Sequence, residues 1–416
     1  MRFRCAAYIA AGALLAASVF PAPSAAEVQK RRYELYYDVQ ILPTEGAARV
    51  VLRIGSGASY LKWIRFSIDP ERHLGFEGDG ELQSEARFVR WMPPPGGGEL
   101  RYSFHIDHLR DDRSYDARCA KSWALFRGDD LVPPARVRAR RGAESDAVLR
   151  LRAPAGWSVE VPYPKRTSTT FVVDHSDRRF DRPTGWMVAA GELGVLRERV
   201  AGVRVAVAAP VGHSARRQDL LALLRWTLPS LRKALGRLPE RLLIVSAADP
   251  MWRGGLSGPG SLYVHSERPL IAPDGTSPLL HELFHTMTRA RSGEGGDWVV
   301  EGLAEFYSLE MLVRSRSMSR WRFEKAQKIL EQKARRAQRL RVPEADAAVK
   351  ALAVGVLRKL DAEIRRRSDG AAGLDDVARL LAEASPVITT ELFQMLSEYV
   401  AGVDLDVFFR RHVPLD

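Results

Sequence analysis

The apolar residues of this chain change their spacing along its length, and that change limits the fold more than any single residue does. From about residue 27 to 199 they fall in short alternating runs rich in β-branched and aromatic side chains, separated by glycine and proline turns. Residues 33–42 and 47–54 flank the turn Pro43-Thr44-Glu45-Gly46, and residues 86–92 and 99–106 flank a Pro93–Gly98 loop as a hairpin-like pair. Residues 147–152 and 157–161 continue the alternation, which predicts a β-sandwich-like domain over 27–199. Residues 200–314 are mixed. They hold strands at 203–209, 241–245 and 261–266, a helix over 216–235, a helix opened by Ser277-Pro278 and running to about 291, and a helix capped by Asp297 and running to about 314. Residues 315–416 have helical spacing nearly throughout, at 321–341, 347–367, 374–384 and 393–402. Strands first and helices last, rather than in alternation, predict an α+β fold.

The N-terminus, Met1-Arg2-Phe3-Arg4 followed by an apolar run and then Pro21-Ala22-Pro23-Ser24-Ala25-Ala26, has the three parts of a secretory signal peptide over 1–26. The run is short and alanine-rich for a membrane span, and no later segment reads as one. The expectation is an exported chain, periplasmic or secreted, with no transmembrane segment after removal of the signal. Of its two cysteines, Cys5 falls in the signal, so Cys119 has no internal disulfide partner and reads as a buried structural residue. The net charge of +12 comes from arginines spread along the whole sequence. No zinc-finger, RNA-recognition or basic-zipper pattern accompanies them, so no nucleic-acid partner is expected.

The chemistry-bearing segment is His281-Glu282-Leu283-Phe284-His285. Four residues of helix rise about 6 Å and return to the same face, so both imidazoles can reach one zinc ion. Glu282, one step around the helix, lies beside the metal, where it can hold water and act as the base. Hydrolytic zinc needs a third protein ligand and an open position. The following helix offers Glu301, and Glu305 one turn later can accept the free ring N–H of a ligand histidine. Zinc, one ion per chain, is the expected cofactor, with His281, His285 and Glu301 as ligands.

The segment Trp298-Val299-Val300-Glu301-Gly302-Leu303-Ala304-Glu305-Phe306-Tyr307 resembles the W-x-x-E-G-x-A/T stretch of gluzincin peptidases, shared by the aminopeptidase N and glycyl aminopeptidase families. In both, the Glu before Gly is the third zinc ligand, which maps onto Glu301. The glycyl aminopeptidase family is the closer likeness. Pro154-Ala155-Gly156-Trp157, Phe180-Asp181-Arg182-Pro183-Thr184-Gly185-Trp186, Leu360–Arg365, Leu374-Asp375-Asp376-Val377 and Ala401–Leu405 resemble its segments. The resemblance implies an N-terminal β domain (27–199), a thermolysin-like catalytic domain (200–314) and a C-terminal helical domain (315–416), with peptides or unfolded protein as substrates.

Two stretches depart from that pattern. Gly254-Gly255-Leu256-Ser257-Gly258 stands where the aminopeptidases carry a strand with an acid that grips the substrate's amine. Gly255, Ser257 and Gly258 are therefore candidate substrate-binding residues, and a hydroxyl at 257 cannot form that ion pair. The stretch Ala347-Ala348-Val349-Lys350-Ala351-Leu352 lacks the family's transition-state tyrosine, which leaves Lys350 and Tyr307 as candidates to stabilise an oxyanion. His265 reads as a polar residue of an edge strand. A zinc-dependent metallopeptidase is the leading reading. A catalytically inactive zinc-binding scaffold or peptide-binding protein of the same fold is the alternative, and a charge-driven envelope adhesion domain is a third reading.

Overall fold

The computed structural model describes residues 31–174, 179–185, 187–384 and 387–414. The signal-peptide reading and Trp186 fall outside them.

The expected alternation produces strands because every second side chain of Arg31–Leu42 is buried, with Tyr33, Leu35, Tyr37, Val39 and Ile41 on the inner face. This strand pairs antiparallel with Ala47–Ile54 across the predicted turn and parallel with Ala143–Arg152 on its other side. Thr170–Val173, Gly98–His105 and His73–Gly78 complete a six-stranded sheet. A four-stranded sheet, ordered Ala135–Ala139, Leu61–Ser67, Phe88–Met92 and Glu81–Glu85, shares one apolar core with it.

The hairpin expected around the Pro93–Gly98 loop is not formed. Phe88–Met92 lies in the four-stranded sheet and Gly98–His105 in the six-stranded one. Prolines lack the N–H groups that would extend a ladder, and here the loop carries the chain from one layer to the other.

A smaller five-stranded sheet (Ser158–Glu160, Val188–Gly191, Trp123–Phe126, Tyr115–Cys119, His108–Leu109) leads towards the second half of the chain, and a single helical turn, Gly128–Leu131 (α1), follows its central strand. Trp123, Leu125, Met187 and Ala189 from this sheet region pack with Ala208, Leu243, Val245, Met251 and Tyr263, which belong to the next unit.

That unit is built on a mixed sheet ordered Leu193–Val200, Val203–Pro210, Arg241–Ala247, Ser261–His265 and Gly255–Gly258. The three central strands run parallel and both outer strands antiparallel to their neighbours. The 261–265 strand is thus interior and the glycine-rich 255–258 strand forms the edge. This corrects the expectation for His265, which is 1% exposed.

Helix α2 (Arg217–Leu235) buries a stripe of Leu220, Leu224, Leu228, Leu231 and Leu235 against this unit. It is followed by α3 (Pro278–Thr288), α4 (Asp297–Arg314), α5 (Arg320–Ala334), α6 (Ala347–Arg367), α7 (Leu374–Ala384), α8 (Thr390–Ala401) and α9 (Asp406–His412). One apolar core draws its side chains from segments between Val200 and Val413. The fold is α+β. No helix among the described residues is long and apolar enough to cross a membrane.

Two helix ends differ from the sequence reading. Helix α3 stops at Thr288, with Arg289 left-handed at φ 52°, and the chain then forms a short parallel pairing of Arg291–Ser292 with Val387–Ile388. Helix α5 ends at Ala334, short of the expected 341. Asp297 is the first residue of α4 but does not cap it, because its Oδ2 accepts the Ala345 N–H at 2.7 Å and so ties the start of α4 to the approach to α6.

Candidate metal centre

Helix α3 begins where the sequence places it. Ser277 Oγ accepts the Leu280 N–H at 3.4 Å, and Pro278 occupies a first-turn position where no N–H is needed. Leu279, Leu280, Leu283, Phe284 and Met287 anchor the helix in the core, and His281 and His285 point from an adjoining face. Helix α4 packs against α3. Its first turn is fixed by fully buried Trp298, whose indole N–H donates to Thr390 Oγ1 at 2.9 Å.

This packing brings three donors together. The Nε2 atoms of His281 and His285 lie 3.1 Å apart. Glu301 Oε2 is 3.3 Å from His281 Nε2, and Glu301 Oε1 is 3.3 Å from His285 Nε2. A tetrahedron with zinc–ligand bonds of about 2.0–2.1 Å has edges of about 3.3 Å, so the spacing suits an ion of that size. Among the described residues no other group of three such donors converges.

His281 Nδ1 faces Glu305 Oε2 at 3.0 Å. A carboxylate only accepts, so Nδ1 carries a proton, and Nε2 is the ring nitrogen that a metal can take. Burial works against a charged His281, yet the Glu301 and Glu305 carboxylates outweigh it and push the imidazole up to about 9. Burial likewise opposes ionised Glu301, but contact with His281, His285 and Lys350 holds its carboxyl far below the usual range. A buried anionic oxygen and two imidazoles, of which His281 would otherwise hold an extra proton, form a donor set a divalent cation can occupy by displacing that proton.

Lys350 belongs to this cluster. Its Nζ stands 2.6 Å from Glu301 Oε2 and is part of the cleft wall. The contact depends on how closely α6 approaches α4. A Cβ at Gly302 would lie 2.5 Å from Ala353 Cβ, so only glycine lets the helices come this near. One turn before Ala353, α6 delivers Lys350 to Glu301.

Glu282 faces a cleft of about 360 Å³ together with His281, Glu305 and Lys350. The edge strand closes one side. A Cβ at Gly255 would sit 2.7 Å from Glu282 Cγ, so this position is restricted by the carboxylate beside it. Gly255 therefore lies at the candidate base, whereas Ser257 and Gly258 continue along the same half-buried strand without lining the cleft.

Tyr307 is withdrawn from the cleft. Its ring stacks on Phe284 at 4.7 Å, it is fully buried, and its hydroxyl donates to Asp375 Oδ1 at 2.8 Å. This removes it as an oxyanion donor and leaves Lys350 of the two candidates. Arg314, the last residue of α4, also reaches Asp375, with Nη1 at 2.6 Å from Oδ2. Trp252, Arg268, Asp274, Lys333 and Asp346, which also line the cleft, were not singled out from the sequence. They come from separate segments and share no spacing that a linear pattern could flag.

No protein-family model matches the sequence, and no curated protein does. Solved structures do share the fold. An aminopeptidase N family protein from Idiomarina loihiensis superposes with a TM-score of 0.71 at 15% identity, covering 91% of this chain and 76% of its own. A variant of an M1 zinc metallopeptidase from Deinococcus radiodurans superposes with a TM-score of 0.57 at 17% identity, covering 92% of this chain and 93% of its own. At these identities the likeness concerns the fold, and it agrees with the gluzincin resemblance of residues 298–307: the chain is built on the fold that these two proteins share.

Proposed function

We propose that this protein is a zinc-dependent metallopeptidase that hydrolyses peptides or unfolded protein in the cell envelope or outside the cell. The single observation that carries the reading is the convergence of His281 Nε2, His285 Nε2 and a Glu301 carboxylate oxygen within 4.8 Å of one another, beside the cleft-facing Glu282. In this reading residues 1–26 are an export signal, 27–199 a β domain, 200–314 a thermolysin-like catalytic domain and 315–416 a helical domain.

His281, His285 and Glu301 would hold one zinc ion, with Glu305 fixing the His281 tautomer. When bound, zinc would supply Lewis acidity, which lowers the ionisation of water to near neutrality. Glu282 takes the proton released from water and later delivers it to the leaving amine nitrogen. Lys350 places a positive charge where negative charge develops on the scissile carbonyl oxygen, the task that Tyr307 cannot perform from its buried position. Gly255 and its strand present an edge along which an extended peptide can pair.

The buried Tyr307 and the lack of an acid on the edge strand favour a second reading, a zinc-binding or peptide-binding scaffold of the same fold. Cleavage of a peptide library, read by mass spectrometry with and without a chelator, separates the two. Hydrolysis that the chelator stops supports the peptidase, and stoichiometric zinc with no cleavage supports the scaffold. Glu282→Gln should abolish hydrolysis while zinc stays bound, and undiminished cleavage by that variant rejects the mechanism.

A further inference from the structure

The charged groups of the cleft are almost all matched. Lys333 pairs with Asp274, whose Oδ1 also accepts the Thr276 N–H at 3.1 Å. Lys350 pairs with Glu301, and Glu305 is engaged by His281. Asp346 Oδ1 caps α6 by accepting the Ala348 and Val349 N–H groups at 2.9 and 2.8 Å. Two lining charges are left over: Glu282, assigned above as the base, and Arg268.

The Arg268 guanidinium makes one hydrogen bond, from Nη1 to the Arg253 carbonyl oxygen at 3.3 Å, and forms no ion pair among the described residues. The acids nearest to it in sequence are taken by other cations: Glu267 pairs with Arg253, which also pairs with Asp249, and Asp274 pairs with Lys333. Anchored to the carbonyl of Arg253, just before Gly254 and Gly255, Arg268 is tied to the edge strand that lies against Glu282. A guanidinium held this way offers its remaining N–H groups as a fork that matches a carboxylate.

Apart from Glu282, assigned above as the base, an amino-terminal ammonium group has no such counterpart among the described residues. Asp274, Glu305 and Asp346 are each engaged, and the edge strand contributes only glycines, Leu256 and Ser257.

We propose that Arg268 forms a subsite for a substrate carboxylate, so that this cleft selects peptides by an acidic group and does not require a free amino terminus. The inference rests on the peptidase reading and specifies its substrate class. The carboxylate can come from an acidic side chain or from the peptide's C-terminus, because both present the same planar acceptor pair.

The test uses zinc-loaded protein and matched peptides that differ in one group: Glu against Gln at each internal position, free acid against C-terminal amide, and free against acetylated N-terminus. Binding is measured by calorimetry on the zinc-loaded Glu282→Gln variant, and kcat/KM on the wild type. One carboxylate source should win by about tenfold, as expected for a hydrogen-bonded ion pair partly open to water. Acetylation should leave the rate within about twofold, a margin well below one charged hydrogen bond.

In Arg268→Gln the acid-to-neutral ratio should fall to about one, and in Arg268→Glu it should invert in favour of peptides carrying lysine at the same position. A wild type indifferent to both carboxylate sources, a preference surviving in Arg268→Gln, or cleavage abolished by acetylation would each overturn the proposal. Acid-selective binding to Glu282→Gln with no turnover by the wild type would uphold the subsite while rejecting the peptidase reading.

Discussion

Gly255→Ala tests the candidate site at the point where the edge strand meets the candidate base. The added Cβ would sit 2.7 Å from Glu282 Cγ and 3.0 Å from Glu282 Oε1. Non-bonded carbons rest at about 3.5–4.0 Å, so the Glu282 side chain must retreat by roughly 1 Å. A displacement of that size in a reacting group lowers turnover by about 10²-fold. His281, His285 and Glu301 are not among the nearest atoms, so zinc affinity should stay near the wild-type value. Stability should change by less than about 1 kcal/mol, because the loss of glycine's unfolded-state freedom offsets part of the contact strain. Three measurements on one preparation decide the matter: kcat on a cleaved peptide, zinc affinity by chelator competition, and Tm by calorimetry. Full activity would show that Glu282 need not stand where the structure places it. A loss of zinc parallel to the loss of rate would show that the strand supports the ligands rather than the base.

Removing the carboxylate behind His281 by Glu305→Ala should weaken zinc binding by about 10- to 100-fold, read by chelator competition, since the Nδ1 proton would lose the acceptor that orients the ring. Gly302→Val should destabilise the fold by about 1–3 kcal/mol through overpacking against Ala353 and, by separating α4 from α6, take Lys350 away from Glu301; denaturant melts and kcat should fall together. Cys119 is buried, and burial followed by the nearby Asp107 carboxylate pushes its thiol up to about 12. The thiolate is the reactive form, so alkylation of the native Cys119 peptide at pH 8, followed by mass spectrometry, should be slow and should keep rising with pH beyond 9, whereas unfolded protein should react promptly at pH 8.

Local physics made part of this protein legible in advance. The 47–54 strand and the helices 347–367 and 374–384 begin and end where periodicity and turn residues place them. Other boundaries were moved by partners far away in the chain. The Asp297 carboxylate went to Ala345 instead of its own helix, and the chain after Thr288 paired with Val387–Ile388 instead of continuing as helix. The two strands flanking the Pro93–Gly98 loop looked like a hairpin because each alternates, but alternation does not say which sheet a strand joins.

The same division runs through the candidate site. The four-residue interval between His281 and His285, the Ser277-Pro278 start of their helix and the one-turn spacing of Glu301 and Glu305 are properties of a single helix, and the sequence alone determined them. Packing decided the rest. It set α4 against α3 so that Glu301 meets both imidazoles, and it brought Lys350 to Glu301 across the Gly302–Ala353 contact. It also turned Tyr307 towards Asp375 and left Arg268 as a cleft cation with no ion pair among the described residues. Those relations join residues tens of positions apart, and their distances exist only once separate helices and strands have buried a common core.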